Sequence, residues 1–390
     1  MVDQMKGRMI MNLTLNDEQK RIQTLAREFA EREVKPGAIE RDETSTYDVS
    51  LFNKLGKLGL IGLPYPTTVG GQGMGYLEYA LAVEEISKVD ASLGISYSVA
   101  TSLYGGTIFN SSASEEVKKK FMAPVLSGEH LGGFGLTEHG AGSDAAGQKT
   151  IAKQDGDFYI LNGSKCFNTN GPLADYYVIY ALTDPSVGTK SMTCFAVERS
   201  TPGVSIGHIE NKMGIRSAQV SEILLDNVRV PAANMLAQPG EGFKLAMKTL
   251  DCGRIGVAAQ GLGIAEGAFE IARKYMMERE QFGKPISKQQ YLAFKMAELY
   301  TKIQGAKLLV YGAALAHDAG TRFTVDAAMA KMTATDVAME VTTEAVQMLG
   351  GNGYMREYEV ERMMRDAKIT QIYEGTNEIQ RLVISGTLFR

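Results

Sequence analysis

Residues 369–381, ITQIYEGTNEIQR, set one carboxylate, Glu374, between the ring of Tyr373 and Gly375, with Ile369 and Ile372 close by. Withdrawing a carboxyl group from water raises its pKa and makes it a stronger base once ionised. The capping-box-like spacing of Asn377 and Gln380 predicts a turn entering a helix, with backbone N–H groups of the turn free to donate to a substrate oxygen. A loop acid is more often solvated, so this stretch alone leaves a base and a surface carboxylate both open.

Other residues could grip a polar ring or a phosphate. In FGLTEHGAGSDAAG, residues 134–147, Gly140 and Gly142 permit tight turns while Thr137, Ser143 and their amides can donate hydrogen bonds. Taken alone, such a connection is often only a turn. Further on, NGSKCFNTNG alternates Phe167 and Thr169, which are predicted to share one face of a strand. A ring beside a hydroxyl suits the flat face and polar edge of a flavin, but taken alone is more often an ordinary strand pair. EREQFGKP brings Arg279 and Phe282, followed by Gln290, and QMLGGNGYMREYEVERMMRD brings Gln347, Gly350 and Gly351. Arg279 can pair with a pyrophosphate, although a single arginine is usually a solvated surface residue. GLGIAEG, residues 261–267, imitates part of a dinucleotide fingerprint, but the helical character of FKLAMKTLDCGRIGVAAQ upstream replaces the strand that fingerprint needs. Small residues that let two helices approach are expected there instead.

Three blocks must position these groups. Up to about residue 128 the pattern is helical: Ile22, Leu25, Ala26, Phe29, Ala30 and Val34 recur at three- and four-residue steps behind the polar capping candidates of TLNDEQ. LEYALAVEEISKV predicts another helix, and YPTTVGGQGMG a loop. From 129 to 238 the runs FYILNG, DYYVIYALT, MTCFAVE and SEILLDNVRVP predict antiparallel strands separated by NGSK, DPSVGTK and STPG. From 239 onward, Leu292, Met296, Leu299, Ile303, Ala306, Val310 and Ala313 form a seam suited to bundle packing. The expected fold is α+β and multi-domain: an N-terminal α-helical domain (1–128), a middle antiparallel β domain (129–238) and a C-terminal four-helix-bundle domain (239–390).

With 390 residues, 44% of them apolar, the chain is long enough for two or three packed cores. A net charge of −4 with both signs interspersed gives no footprint for nucleic acid. No apolar run reaches the roughly 18 residues of a membrane span. Cys166, Cys194 and Cys252 are widely spaced, which argues against a disulfide framework and for a reducing, cytoplasmic setting. His130, His139, His208 and His317 show no metal-ligand spacing, so no metal is expected. The opening MVDQMKGRMIM reads as a short leader or an upstream start ahead of Met11.

These motifs, in this order from NLTLNDEQ to RLVISGTLFR, resemble the acyl-CoA dehydrogenase family. GLTEHGAGSDAAG and QMLGGNGYMREYEVERMMRD fit its two signature patterns, while LDCGRIGVAAQGLGIAEGA and DAKITQIYEGTNEIQRLV look closest to its short-chain, butyryl-type members. The resemblance implies FAD as cofactor and Glu374 as the base that removes the α-proton of an acyl-CoA. It implies that Phe134, Leu136, Thr137, Gly142 and Ser143 hold the flavin and the thioester, with Phe167 and Thr169 on the ring's other side. Arg279, Phe282, Gln290, Gln347, Gly350 and Gly351 correspond to further FAD contacts, several across a subunit boundary, and Thr376 to another. Asp251 and Arg254 match contacts on the CoA side, and Tyr373 and Gly375 flank the thioester. The family implies electron-transferring flavoprotein as partner and a homotetramer built as a dimer of dimers. The chain departs from the family pattern at His139, commonly Pro, and at Asn168, commonly apolar. A polar amide at the flavin edge is expected to shift its potential and hence the favoured direction.

Three activities fit: dehydrogenation of a short acyl-CoA or the reverse enoyl-CoA reduction, an acyl-CoA oxidase returning electrons to oxygen, and a non-catalytic acyl-CoA-binding homologue. Butyryl, propionyl or acryloyl, isobutyryl and aryl-propionyl thioesters all stay open, because the pocket depends on how SYSVATSLYGG packs against GRIGVAAQ.

Overall fold

The computed structural model describes residues 14–389; the opening MVDQMKGRMIM lies outside them. Helices come first: α1 (Asp17–Phe29), α2 (Ala38–Thr44), α3 (Val49–Lys57), α4 (Tyr76–Ser87), α5 (Ala91–Ser98), α6 (Gly106–Phe109) and α7 (Glu115–Leu126). Helix α1 starts at the polar stretch, where Asn16 accepts from the Gln19 amide and the Gln19 side chain accepts from the Asn16 amide, a capping box. Ile22, Ala26 and Phe29 of its predicted face are buried. Every residue of α4 is buried, because the helix packs on α1, α5, α8 (Gly242–Glu278) and α9 (Gln290–Asp318).

Strands follow: β1 (Gly132–Gly135), β2 (Ile151–Asp155), β3 (Phe158–Thr169), β4 (Tyr176–Leu182), β5 (Met192–Glu198), β6 (Val204–Ile209), β7 (Val220–Pro231) and β8 (Met235–Ala237). They form one sheet in the order β6-β7-β3-β2-β4-β5-β8, with β1 also on β4. Most pairings are antiparallel as expected, but β1 and β2 both run parallel to β4, so the sheet is mixed. NGSK does not separate strands. It continues β3, with a register shift at Gly163, whose φ of +148° only glycine adopts readily.

The last third is α8, α9, α10 (Thr324–Leu349), α11 (Val360–Thr370) and α12 (Asn377–Leu388), with the small hairpin β9 (Glu280–Gln281) and β10 (Lys284–Pro285) between α8 and α9. The three long helices pack on one another, α11 adds to α8 and α10, and α12 adds to α10. Leu299, Ile303, Ala306, Val310 and Ala313 of the predicted seam are buried; Leu292 and Met296, in the first turns of α9, are only half-buried. GLGIAEG lies inside α8, where a Cβ at Gly263 or Gly267 would collide with the backbone of Glu84 or Lys88. Those glycines let α8 and α4 approach, and no strand precedes them.

Candidate active site

A cavity of about 680 Å³ opens where the helical and sheet parts meet. Its walls come from α5, the β1–β2 loop, the end of β3, residues 210–220, α8 and the α11–α12 connection. The run from α5 to α6 is continuously helical, with a π-helical stretch at Val99–Gly105. Ile95, Val99 and Leu103 of that run form an apolar wall facing Met247, Leu250 and Arg254 of α8.

Phe134, Leu136, Thr137, Gly142, Ser143, Phe167, Thr169, Arg254, Tyr373, Glu374, Gly375 and Thr376 all line this cavity. Phe167 and Thr169 face it by a different route from simple alternation. The ladder slips between Lys165 and Asn168, Phe167 takes a φ of +56°, and the bulge aims its ring outward. The same bulge turns Asn168 away from the cavity: its side chain is buried and donates to the Ser221 carbonyl at 2.9 Å. The amide expected at the flavin edge is therefore not there. His139 also points elsewhere, pairing with Glu222 at 2.6 Å on the surface.

The β1–β2 loop is held from beneath. Lys165, fully buried, donates to Glu138 at 2.7 Å and to the Leu136 carbonyl at 3.2 Å, while Glu138 accepts from the amides of Lys149 and Thr150. Among the described residues, no acceptor meets the amides of Thr137, Gly142 and Ser143, and the hydroxyls of Thr137, Ser143 and Thr169 are likewise free. Free donors between apolar walls fit the polar edge and flat face of an isoalloxazine ring.

The α11–α12 connection carries the acid. Glu374 has φ +53° and Gly375 φ +91°, two consecutive left-handed residues that break the helical path. Helix α12 is capped one residue earlier than expected: Thr376, not Asn377, accepts from the Ile379 amide at 3.3 Å. Glu374 is partly accessible along its stem, but both carboxylate oxygens are buried and neither has a hydrogen-bond partner. Burial pushes its pKa up to about 7, against the opposing charges of Lys331 and Arg254. Tyr373 turns its hydroxyl away to Gln260, leaving ring surface towards the cavity. Among the described residues nothing accepts from the amides of Glu374 and Gly375, so these donors are free for a carbonyl oxygen.

Arg254 is bound to Asp251 at 2.6 Å, and Asp251 also accepts from Thr324 at 2.7 Å, which sets Asp251 behind the cavity wall. Arg279, Phe282, Gln290, Gln347, Gly350 and Gly351 do not join the cavity. They lie exposed where α8 and α10 end and α9 begins, with Phe282 94% exposed. Within one chain, the two groups of predicted cofactor contacts stay apart.

Three residues of the site escaped the sequence reading. Lys331 of α10 is buried and donates to the Gly375 carbonyl and to Asn377. Its signal was a lone cation on an alanine face, with Ala327, Ala334 and Ala338 buried at helical spacing around it. Gly253 is required because a Cβ there would run into Glu374 Oε2 and come 2.6 Å from Leu103 Cδ2. A glycine inside a long helix was its clue. Lys165 looked like a turn residue. No helix among the described residues is long and apolar enough to cross a membrane, and no group of His, Cys, Asp and Glu among them could hold a metal.

Family models match most of the chain: "Acyl-CoA dehydrogenase, N-terminal domain" at residues 16–129, "middle domain" at 133–228 and "C-terminal domain" at 240–389. A short-chain-specific acyl-CoA dehydrogenase of Clostridium acetobutylicum is 50% identical over 97% of this chain and all of its own. The solved butyryl-CoA dehydrogenase of Megasphaera elsdenii superposes with a TM-score of 0.95 at 50% identity, covering 97% of this chain and all of that one. A chain in the structure of the electron transferring flavoprotein of Acidaminococcus fermentans, a study directed at flavin-based electron bifurcation, superposes with a TM-score of 0.96 at 50% identity, covering 97% of this chain and all of that one. On motifs, fold and site alike, this chain belongs to the acyl-CoA dehydrogenase family.

Proposed function

We propose that this protein is an FAD-dependent acyl-CoA dehydrogenase for short acyl chains, with Glu374 as the base. The reaction converts an acyl-CoA to trans-2-enoyl-CoA, or runs in reverse, and the family is FAD-dependent. One observation carries the role of Glu374: a buried carboxylate without a single hydrogen-bond partner, beside a cavity whose far wall offers free donors and an aromatic ring. The α-hydrogen of a saturated thioester is a very weak acid, so its removal needs a positioned base and donors for the charge growing on the carbonyl oxygen. Glu374 takes that proton, and the free amides of the 374–375 turn would donate to the oxygen. When bound, FAD supplies the two-electron sink for the hydride leaving the β-carbon, which no side chain provides. The loop at 134–143 would hold the ring edge, Phe167 and Thr169 its other side and Thr376 a further contact, while Arg254, fixed by Asp251, serves the CoA side.

Arg279, Phe282, Gln290, Gln347, Gly350 and Gly351 would meet a cofactor bound by a neighbouring subunit. Their exposure, together with exposed Tyr291 and Phe294 on α9, supports a homotetramer built as a dimer of dimers. The relatives named above support a butyryl-length substrate and electron-transferring flavoprotein as partner. Three free, buried cysteines accord with a cytoplasmic setting.

Glu374→Gln should bind FAD normally and lose anaerobic flavin bleaching by butyryl-CoA; unchanged turnover would refute the assignment. The same assay run over a panel of acyl chains identifies the substrate. Peroxide formed in step with acyl-CoA consumed would identify an oxidase, and a colourless protein that FAD cannot restore would indicate a non-catalytic homologue.

A further inference from the structure

Beneath the base lies a buried cation that the reaction does not touch. Lys331 is fully buried, and its Nζ donates to the Gly375 carbonyl at 2.9 Å and to Asn377 Oδ1 at 2.9 Å. Both acceptors belong to the three residues after Glu374. Asn377 is itself anchored to Thr335 and Asp336, and Gln380 donates a second bond to the Gly375 carbonyl at 2.8 Å. A left-handed non-glycine residue such as Glu374 is strained and persists only where its surroundings hold it.

Two cations face Glu374, Lys331 of α10 and, on α8, Arg254, already bound to Asp251; the hydroxyls of Tyr79 on α4 and of neighbouring Tyr373 feel its charge, while Asp336 of α10 and Glu378 of α12 act on Lys331 instead. Asp336 is engaged by Gln371, Asn377 and Arg381. Among the described residues Lys331 forms no ion pair, so it is the buried cation near the base that no carboxylate neutralises directly. Of the carboxylates, Glu374 favours the Lys331 charge most, then Asp336 and Glu378, while Arg254 repels it.

We infer that Lys331 is a positioning residue for the base: its ammonium pins the carbonyl side of the 374–376 turn and supplies the positive charge that lets the buried Glu374 carboxylate stay ionised. This rests on the reading of Glu374 as base. Burial pushes Lys331 down to about 7 while Glu374 opposes that shift, so each charge sustains the other.

The test uses FAD-loaded enzyme carrying Lys331→Met, which removes charge and donors, and Lys331→Gln, which removes the charge but keeps a donor for the Gly375 carbonyl. Two readouts are followed against pH: anaerobic flavin bleaching by butyryl-CoA, and the infrared C=O band of the carboxylic acid that is absent in Glu374→Gln. Losing the cation raises the Glu374 pKa, so both should move to higher pH by about one unit or more, a roughly tenfold loss of bleaching rate below the limb. A purely structural lysine would lower the melting temperature and leave both readouts at the wild-type pH. If Lys331→Met does not fold, Lys331→Gln decides alone. Wild-type titration in the variants, with Glu374→Gln inactive, overturns this inference only; a fully active Glu374→Gln overturns the assignment of the base.

Discussion

Glu138 and Glu374 both stand beside the cavity with their carboxylates shielded from solvent, and they are treated in opposite ways. Glu138 accepts from the Lys165 ammonium and from the amides of Lys149 and Thr150. Burial alone would raise its pKa, but the Lys165 charge and these bonds outweigh it and hold the group below the usual carboxylate range. Glu374 has no donor at all and is pushed up to about 7. A carboxylate saturated with donors holds a loop, whereas one deprived of them is ready to take a proton. Each also has a buried lysine, but Lys165 touches its acid whereas Lys331 touches the Gly375 carbonyl and the Asn377 side chain just after it.

The largest test of this contrast removes the donor side of the satisfied pair. Lys165→Met leaves Glu138 buried without its cation, and denaturant unfolding should show a loss of about 3–5 kcal/mol. A loss under 1 kcal/mol would mean the pair does not hold the loop. Next comes the bare acid. Gly253→Ala puts a methyl group where Glu374 Oε2 lies, so flavin bleaching should fall about 10²-fold as the base is displaced. Stability should fall little, since alanine favours a helix interior over glycine. Equal losses of stability and rate would show that the site tolerates no change at all.

The smallest effect sharpens the comparison most, because the two acids should respond to pH with opposite signs. Glu374, with a raised folded pKa, contributes stability that is present below its unfolded value near 4.5 and lost as pH rises through about 7. Glu374→Gln escapes that loss, so it should exceed wild type by on the order of 2–3 kcal/mol at pH 8 and match it near pH 4. Glu138, with a depressed folded pKa, contributes stability above its unfolded value, lost as pH falls through the folded one. Glu138→Gln should therefore be weaker than wild type at pH 8 and approach it in acid. Melting curves of both variants across pH 4–8 with the same sign of difference would break the contrast.

Much of this was legible in local pattern. The capping box at Asn16 and the face of α1, the seam of α9 and the close-approach glycines of α8 follow from spacing, because a helix repeats its neighbours every three or four residues. For the cavity-lining loop and Glu374, local pattern left a plain turn and a solvated acid open, and the resemblance to the family decided between the readings. Pairing partners were not legible. β1 and β2 run parallel to β4, a choice made by segments distant in the chain, and NGSK continues a strand because a bulge absorbs its glycine. That bulge also reversed the expectation for Asn168, since one extra residue sends a side chain to the other face.

The amino-acid order by itself determined the kind of chemistry: one acid in apolar company, loops able to grip a flavin, and helices to frame them. Only the tertiary structure decided how basic that acid is. Basicity depends on what surrounds two oxygen atoms, and the glycine, arginine and lysine that do so come from positions 253, 254 and 331, brought to residue 374 by folding alone.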